Sequence, residues 1–584
     1  MTPTTVRGDG TMAGLLPEIA ARYPDRTAVV APDGGVLTFA ELLEQVTRTA
    51  LGLIDRGLSP GDRVGLLCTT RPEWTVVDYA VTMAGGVVVP VYPSNAPGEC
   101  AWILAHAGVT MVVCEDADQL AKVRAVESQL PRLRVVVTVD PAPGHADLEE
   151  IQRRGLAGAP GELAARAAAV TADDLYTVVY TSGTTGPPKG CVLTHGGYRA
   201  GIAAVTDREV LRDDDVVYLF LPLAHSFARL MQHAAFADGA AVAYGNPQRV
   251  VEDLAALRPT FLPAAPRLFE KLYRWCTEGM TEAQLEHAVS VGARVQDLRV
   301  TGLPVPDDLR RLYDPLDAAL FARMRTALGG RLRQASSGAA PISPAILRFF
   351  WACGIPVMEG YGMTETATAV TASTPEHHRF GTVGRAVPGV QLAVAVDGEL
   401  LVRAPSMFSG YLDDPAATAE ALDGGWLRTG DLGELDAEGY LRITGRKKEI
   451  IITAGGKNLT PANLENDVKR SPLVSHAVMH GDGRPYPVLL VTLDPDAAMA
   501  WARWQGIAVT GPADLAQHPV LLAEIRATVD RANAEYARVE QVKKFVVLGH
   551  DLTVEAGELT ATLKVRRDVV NTRYAAQFDE LYRA

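Results

Sequence analysis

The sequence predicts an α/β protein: a large N-terminal domain of parallel and mixed sheets covered by helices, followed by a small, mobile α+β C-terminal domain. Three observations carry this expectation. Helix-like and strand-like segments alternate repeatedly through the first half of the chain, the pattern of strands joined by helical crossovers. Near residue 445 the segments shorten and charge becomes denser, as in GRKKE, Gly445 to Glu449. The chain has 584 residues, enough for about three to five structural units. The junction is expected close to Arg446, giving domains of residues 1–445 and 446–584.

Taken in order, Phe39 to Gly57 places apolar residues three and four apart and reads as a helix, and Asp62 to Cys68 follows as a short apolar strand. Ala101 to His106 then leads to Thr110 to Cys114, and Leu120 to Leu130 leads to Leu133 to Val139, helix before buried strand each time. Gly144 to Ala169, rich in Gly, Ala and Pro, reads as a surface excursion ahead of the strand Leu175 to Tyr180. Beyond the junction, Pro461 to Val468 reads as a helix, Val474 to Met479 and Val488 to Leu493 as strands, and Pro512 to Arg538 as helical. No internal repeat of solenoid period is visible.

Composition removes several function classes. With 69 Asp plus Glu against 56 Lys plus Arg, the formal net charge is −13, which argues against broad binding to the phosphate backbone of nucleic acids. A content of 48% apolar and 21% charged residues excludes low-complexity disorder. The six cysteines, at 68, 100, 114, 191, 276 and 353, form no Cys-x-x-Cys pair and read as reduced core residues of a reducing compartment. Met1 to Gly14 has no apolar h-region, and the greasiest stretch, Tyr79 to Tyr92, is broken by Gly85, Gly86 and Pro90. A cytoplasmic protein is therefore expected, with membrane contact at most peripheral.

The most informative block is YTSGTTGPPKG, Tyr180 to Gly190, directly after an apolar strand. Thr181, Ser182, Gly183, Thr184, Thr185 and Gly186 are all Thr, Ser or Gly, so backbone N–H groups and hydroxyls can approach a polyanion closely. Lys189 adds positive charge. The block is not a Walker A loop, and a flexible linker would seldom abut a buried strand and end in Pro-Pro-Lys-Gly.

With this loop the chain resembles the adenylate-forming superfamily of acyl-CoA synthetases, luciferase-like enzymes and peptide-synthetase adenylation domains. The other blocks follow in that family's order: LPLAHSFAR (Leu221 to Arg229), SSGAAPI (Ser336 to Ile342), EGYGMTETA (Glu359 to Ala367), the long run from Trp426 to Asn458, and ELTATLKVRR (Glu558 to Arg567). The resemblance extends from about Leu15 to Arg567. PAAPRLFEKLY (Pro263 to Tyr273), MRTALGGRLRQASSGAAP (Met324 to Pro341) and GGKNLTPANLEN (Gly455 to Asn466) are most similar to bacterial long-chain fatty acid–CoA ligases. It implies ATP, Mg²⁺ and coenzyme A as cofactor and co-substrates, a medium- or long-chain fatty acid as substrate, an acyl-AMP intermediate, and AMP and pyrophosphate as products. A fatty acyl-AMP ligase that loads an acyl carrier protein is the alternative, and a non-catalytic acyl- or nucleotide-binding homologue a further one. The intact set of Glu365, Asp431, Arg446 and Lys564 argues against decay.

The same resemblance assigns roles by position. The Thr181 to Gly186 loop and Lys189 would hold phosphates. Glu365 lies between the hydroxyls of Thr364 and Thr366, a hard-oxygen setting suited to Mg²⁺; the resemblance gives it that ion, with Thr184 nearby. Tyr361 and the backbone of Gly338, Ala339, Ala340 and Gly360 would form the adenine slot, with Gly362 and Thr364 also among the residues that bind the cofactor. Asp431, read as lying in a turn between two short strands, could by its residues alone equally be a structural cap; the resemblance gives it the ribose hydroxyls. Arg446 would contact ribose or phosphate, and Lys448 matches the family's pivot. Lys564 would bridge the carboxylate and the α-phosphate in the transition state; Ala561 stands where related long-chain enzymes often carry proline. His225 would border the acyl channel in an orienting role, with Phe227 lining it. Gly455, Gly456 and Lys457 resemble the face that meets pantetheine.

Overall fold

A computed structural model describes residues 10–31, 34–181, 187–454, 457–560 and 563–583. Its described strands form five sheets. The first is built on parallel strands, among them Val216–Leu219, Phe261–Ala264, Gln334–Ser337 and Val357–Tyr361, with antiparallel strands at its edges. The second runs parallel from Leu175–Thr181 through Val87–Val91, Arg63–Leu67 and Met111–Cys114 to Val135–Thr138, and closes antiparallel with Lys189–Thr194 and Gly410–Tyr411. Strands such as Val87–Val91 are buried along their whole length, as expected when helices cover both faces. The helix expected after residue 38 runs Phe39–Asp55, opened by a capping box between Thr38 and Glu41 and burying Phe39, Leu42, Val46, Ala50 and Leu53.

Two expectations about the larger domain need correction. Residues 144–169 are not a loop excursion: they contain helices Leu148–Gly155, capped by Asp147, and Pro160–Ala169. The first packs on Phe39–Asp55 so closely that a Cβ on Gly52 would lie 1.9 Å from the Ile151 carbonyl oxygen, and one on Gly155 1.9 Å from that of Arg48. Gly155 is there for helix contact. Asp431 does not sit in a turn between short strands but inside the ten-residue strand Trp426–Leu435 of an antiparallel sheet. Gly430, at φ +71°, and a register shift after Leu432 bend that strand without ending it.

Downstream, Val474–His480, Val488–Leu493 and Lys544–Leu548 form a small sheet packed by helices Pro461–Val468, Pro519–Asn533 and Ala575–Arg583. The helical stretch expected from Pro512 is interrupted after Leu515 and restarts at Pro519. The apolar clusters of this smaller domain contain residues from Ile451 onward, and those of the larger domain end at Ile443. All six cysteines are free and buried. Among the described residues no helix is long and apolar enough to cross a membrane.

Candidate active site

A cleft of about 2410 Å³ lies between the two domains. Thr181, at the end of its strand, and Lys189, at the start of the next, line it from the second sheet. Ser182, Gly183, Thr184, Thr185 and Gly186 lie outside the described residues, as do Gly455, Gly456 and Ala561. The Lys189 ammonium sits 5.0 Å from the centre of the Tyr411 ring, and the Tyr411 hydroxyl donates to Glu365 Oε1 at 2.8 Å. Glu365 is buried in the short 3₁₀ turn Thr364–Thr366. Burial raises its carboxyl pKa despite the Tyr411 hydrogen bond. No cation pairs with it within 4.0 Å among the described residues. A buried carboxylate with one hydroxyl donor, beside the Thr364 hydroxyl, fits a hard divalent ion.

The wall beyond it is strained and tight. Ala339, Ala367 and Thr368 have φ of 68°, 47° and 85°, and a Cβ on Gly362 would lie 1.2 Å from the Thr368 carbonyl oxygen. Such strain persists only where the surroundings over-determine it, and it gathers at functional sites. Gly338, Gly360, Gly362, Tyr361 and Thr364 also line the cleft. The Tyr361 hydroxyl donates to Asp431 Oδ2 at 2.5 Å, and Arg446 Nε donates to Oδ1 at 2.9 Å. The antiparallel register makes Asp431 and Arg446 direct cross-strand partners. Partial desolvation in the cleft would lower the Arg446 pKa, but the Asp431 carboxylate outweighs it, so that the pKa is raised.

Lys448 is exposed and lines the cleft, just past the pairing of Asp431 with Arg446. The residue before it is fastened: Lys447 Nζ meets Asp397 at 2.7 Å and Glu399 at 3.0 Å, and Glu399 also accepts the Gly430 N–H at 3.1 Å. Lys564, on a hairpin of the smaller domain, reaches into the cleft from the other side. Water reaches its side chain, but protein surrounds it, and this partial desolvation followed by the Arg446 guanidinium lowers its pKa against the pull of Asp431, Glu449 and Glu365. Arg566 lies 3.6 Å from Glu99 across the domain boundary.

His225 caps the helix Ser226–Ala237, its Nδ1 accepting the Phe227 N–H at 3.2 Å. Burial, then the nearby Lys564 ammonium, push its pKa down to about 3, so the ring is neutral. One turn further on, Arg229 pairs with Asp78 in full burial and donates to Thr177 Oγ1 at 2.9 Å, tying this helix to the strand that delivers Thr181. Phe227, Leu230, Met231, Val205 and Val210 give the cleft an apolar arm.

The structure thus brings Thr181, Lys189, His225, Gly338, Ala339, Tyr361, Glu365, Asp431, Arg446 and Lys564 to one cleft. Lys457 is elsewhere, 3.6 Å from Glu540 in the smaller domain. Sequence reasoning missed Tyr411, Glu399 and Lys447. It also missed Glu359, which lines the cleft and whose carboxyl burial pushes to about 8. Its place at the head of the EGYGMTETA block was the available signal.

The fold, a large and a small domain facing each other across one cleft, is that of adenylate-forming enzymes. The chain belongs to the AMP-binding enzyme family, which it matches over residues 16–412, with the family's C-terminal domain matched over 448–584. It is 37% identical to the long-chain-fatty-acid–CoA ligase FadD15 of Mycobacterium bovis, over 99% of this chain and 98% of that one. It is 32% identical to human long-chain-fatty-acid–CoA ligase 6, over 94% and 82% respectively. Among solved structures, the anthranilate CoA ligase AuaEII in complex with anthranoyl-AMP shares the fold, with a TM-score of 0.74 at 19% identity over 98% and 99% of the two chains.

Proposed function

We propose that this protein is an AMP-forming fatty acid–CoA ligase. ATP and a medium- or long-chain fatty acid give an acyl-AMP and pyrophosphate; coenzyme A then takes the acyl group and releases AMP. The observation that carries the reading is the meeting of Lys564, Arg446, Asp431, Glu365 and His225 at one cleft.

A carboxylate is a poor electrophile because its leaving group would be oxide. Attack of its oxygen on the α-phosphorus of ATP forms a C–O–P anhydride, breaks the bond to pyrophosphate and leaves AMP as the later leaving group. The residues work by positioning and charge stabilisation. Tyr361 stacks on the adenine between the Gly338–Ala339 and Gly360–Gly362 backbones. Asp431, already oriented by Tyr361 and Arg446, accepts the ribose hydroxyls through its remaining lone pairs. Lys564 steadies the charge shared by the carboxylate and the α-phosphate, with Arg446 beside it. His225, neutral and held by its cap, orients the carboxylate and transfers no proton. The Thr181 to Gly186 loop and Lys189 hold the outgoing phosphates. Glu365 and Thr184 would hold Mg²⁺, which supplies charge neutralisation to the phosphate oxygens.

In the second step the coenzyme A sulfur attacks the acyl carbon and the bond to AMP breaks. We assign the N-terminal domain to residues 1–445 and the mobile domain to 446–584, with Lys448 the pivot that turns Lys564 away and brings the Gly455–Gly456–Lys457 face inward. Buried, free cysteines support a cytoplasmic setting.

The decisive experiment assays a series of carboxylates with ATP and Mg²⁺ for acyl-AMP without coenzyme A and for acyl-CoA with it. Each methylene buried in the apolar arm should contribute about 0.8 kcal/mol until the arm ends, so the specificity constant should climb with chain length and then level off. Preference for acetate or an aromatic acid would overturn the fatty-acid reading. Acyl-AMP that passes only to a carrier protein would make the chain an acyl-AMP ligase.

A further inference from the structure

Lys564 stands on a hairpin whose two legs are each fastened by a buried carboxylate. At the tip, Leu559 and Val565 bridge, the Thr560 N–H donates to the Lys564 carbonyl at 2.8 Å, and the Lys564 N–H donates to Thr560 Oγ1 at 3.1 Å. Leu563 is left-handed, at φ 60°, a conformation that costs a side-chain-bearing residue energy and persists only where its surroundings enforce it. On the first leg, Glu558 Oε1 accepts from Arg573 at 2.8 Å and from the Tyr574 hydroxyl at 2.5 Å, and Oε2 accepts the Thr553 N–H at 3.1 Å. Its carbonyl accepts the Arg566 N–H at 2.7 Å. On the second leg, Arg567 grips Glu465 with both ends of its fork, at 2.7 and 2.9 Å, and donates to the Met479 carbonyl at 3.2 Å. Glu465 Oε1 in turn accepts the Met479 N–H at 2.6 Å.

Both carboxylates are nearly inaccessible: the side chains of Glu558 and Glu465 are 2% and 9% exposed. Buried ion pairs are a weak way to stabilise a fold, since apolar side chains of similar volume serve as well. What a two-pronged pair supplies is direction. Every partner named here lies between residues 465 and 574, within the smaller domain. Rotation about Lys448 therefore breaks none of these bonds, and the legs that carry Lys564 stay fastened to the smaller domain as it turns.

We propose that Arg567, Glu465 and Glu558 are positioning residues for Lys564, holding the hairpin so that the ammonium arrives in the cleft already aimed. This rests on the reading of Lys564 given above. The test uses the full-length chain and the variants Arg567→Lys, which keeps the charge and loses the fork, Glu558→Gln, Lys564→Ala, and Lys564→Ala combined with Arg567→Lys. Pyrophosphate release from ATP and dodecanoate reports the first step; acyl-CoA formed from supplied dodecanoyl-AMP reports the second and checks the fold.

Arg567→Lys should lower kcat of the first step by about 10²-fold, the cost of a misplacement of roughly 1 Å, with KM for ATP and the second step unchanged. In the Lys564→Ala background the same change should cost nothing more, because the group it positions is gone. Wild-type first-step rates in both Arg567→Lys and Glu558→Gln would overturn the proposal, as would an additive loss without Lys564 or a parallel fall in both steps. A Lys564→Ala enzyme that adenylates normally would instead refute the reading of Lys564 itself.

Discussion

Replacing Tyr361 with phenylalanine removes one hydroxyl and keeps the ring. That hydroxyl donates to Asp431 Oδ2 at 2.5 Å, while Arg446 holds Oδ1 at 2.9 Å. Burial and the Asp431 charge raise the Tyr361 pKa well above its ordinary value, so the group stays a donor at working pH. A hydrogen bond to a charged group contributes about 1.5–3 kcal/mol, which at about 1.4 kcal/mol per decade corresponds to roughly 10- to 100-fold in affinity. The loss reaches the nucleotide only if the oriented carboxylate is what the ribose meets. Calorimetric titration with AMP and with 2′,3′-dideoxy-AMP separates the two cases. Tyr361→Phe should weaken AMP within that range, and should weaken the dideoxy nucleotide far less, because the hydroxyls that read the carboxylate are already absent. Equal losses for both nucleotides, or no loss for either, would refute the ribose role of Asp431.

Three further outcomes are expected. Glu359, ordinarily near 4.5 and raised to about 8 by burial, keeps a proton in the folded state that the unfolded chain releases at lower pH. Its contribution is full below the unfolded value and is lost as pH rises through about 8, so Glu359→Gln should flatten the fall of melting temperature over that window. Reversing the charge of either Glu99 or Arg566, which lie 3.6 Å apart across the domains, should slow acyl-AMP formation by up to about five-fold, the scale of an exposed pair. Reversing both should restore the rate, read by pyrophosphate release. Gly155→Ala puts a methyl group 1.9 Å from the Arg48 carbonyl oxygen and should cost about 1–3 kcal/mol, measured as a lower denaturation midpoint.

Much of the architecture is legible in the sequence because buried parallel strands and their covering helices leave clear periodicities. The segment 144–169 is not, since Gly155 answers to a neighbouring helix that a local reading cannot see. Asp431 was misread for a related reason: Gly430 resembles a turn signal, while the pairing that keeps the strand going comes from residues 441–446. The cleft residues that carry block signatures, such as Glu365, Tyr361 and Lys564, stand out. Their partners do not, because Tyr411 lies 46 residues from Glu365 and Glu465 lies 102 from Arg567. Long-range pairing leaves no local pattern.

The six buried cysteines bear on life beside a thiol substrate. Burial raises the pKa of every one of them, Cys100 to about 11 and Cys114 to about 12. Thiol exchange proceeds through the thiolate and needs access to sulfur, so at neutral pH the folded chain offers oxidised coenzyme A almost nothing to attack with. An enzyme that turns over one thiol many times is thereby spared mixed disulfides with it. Its own sulfurs should be silent to a thiol reagent until the protein unfolds, when all six should react together.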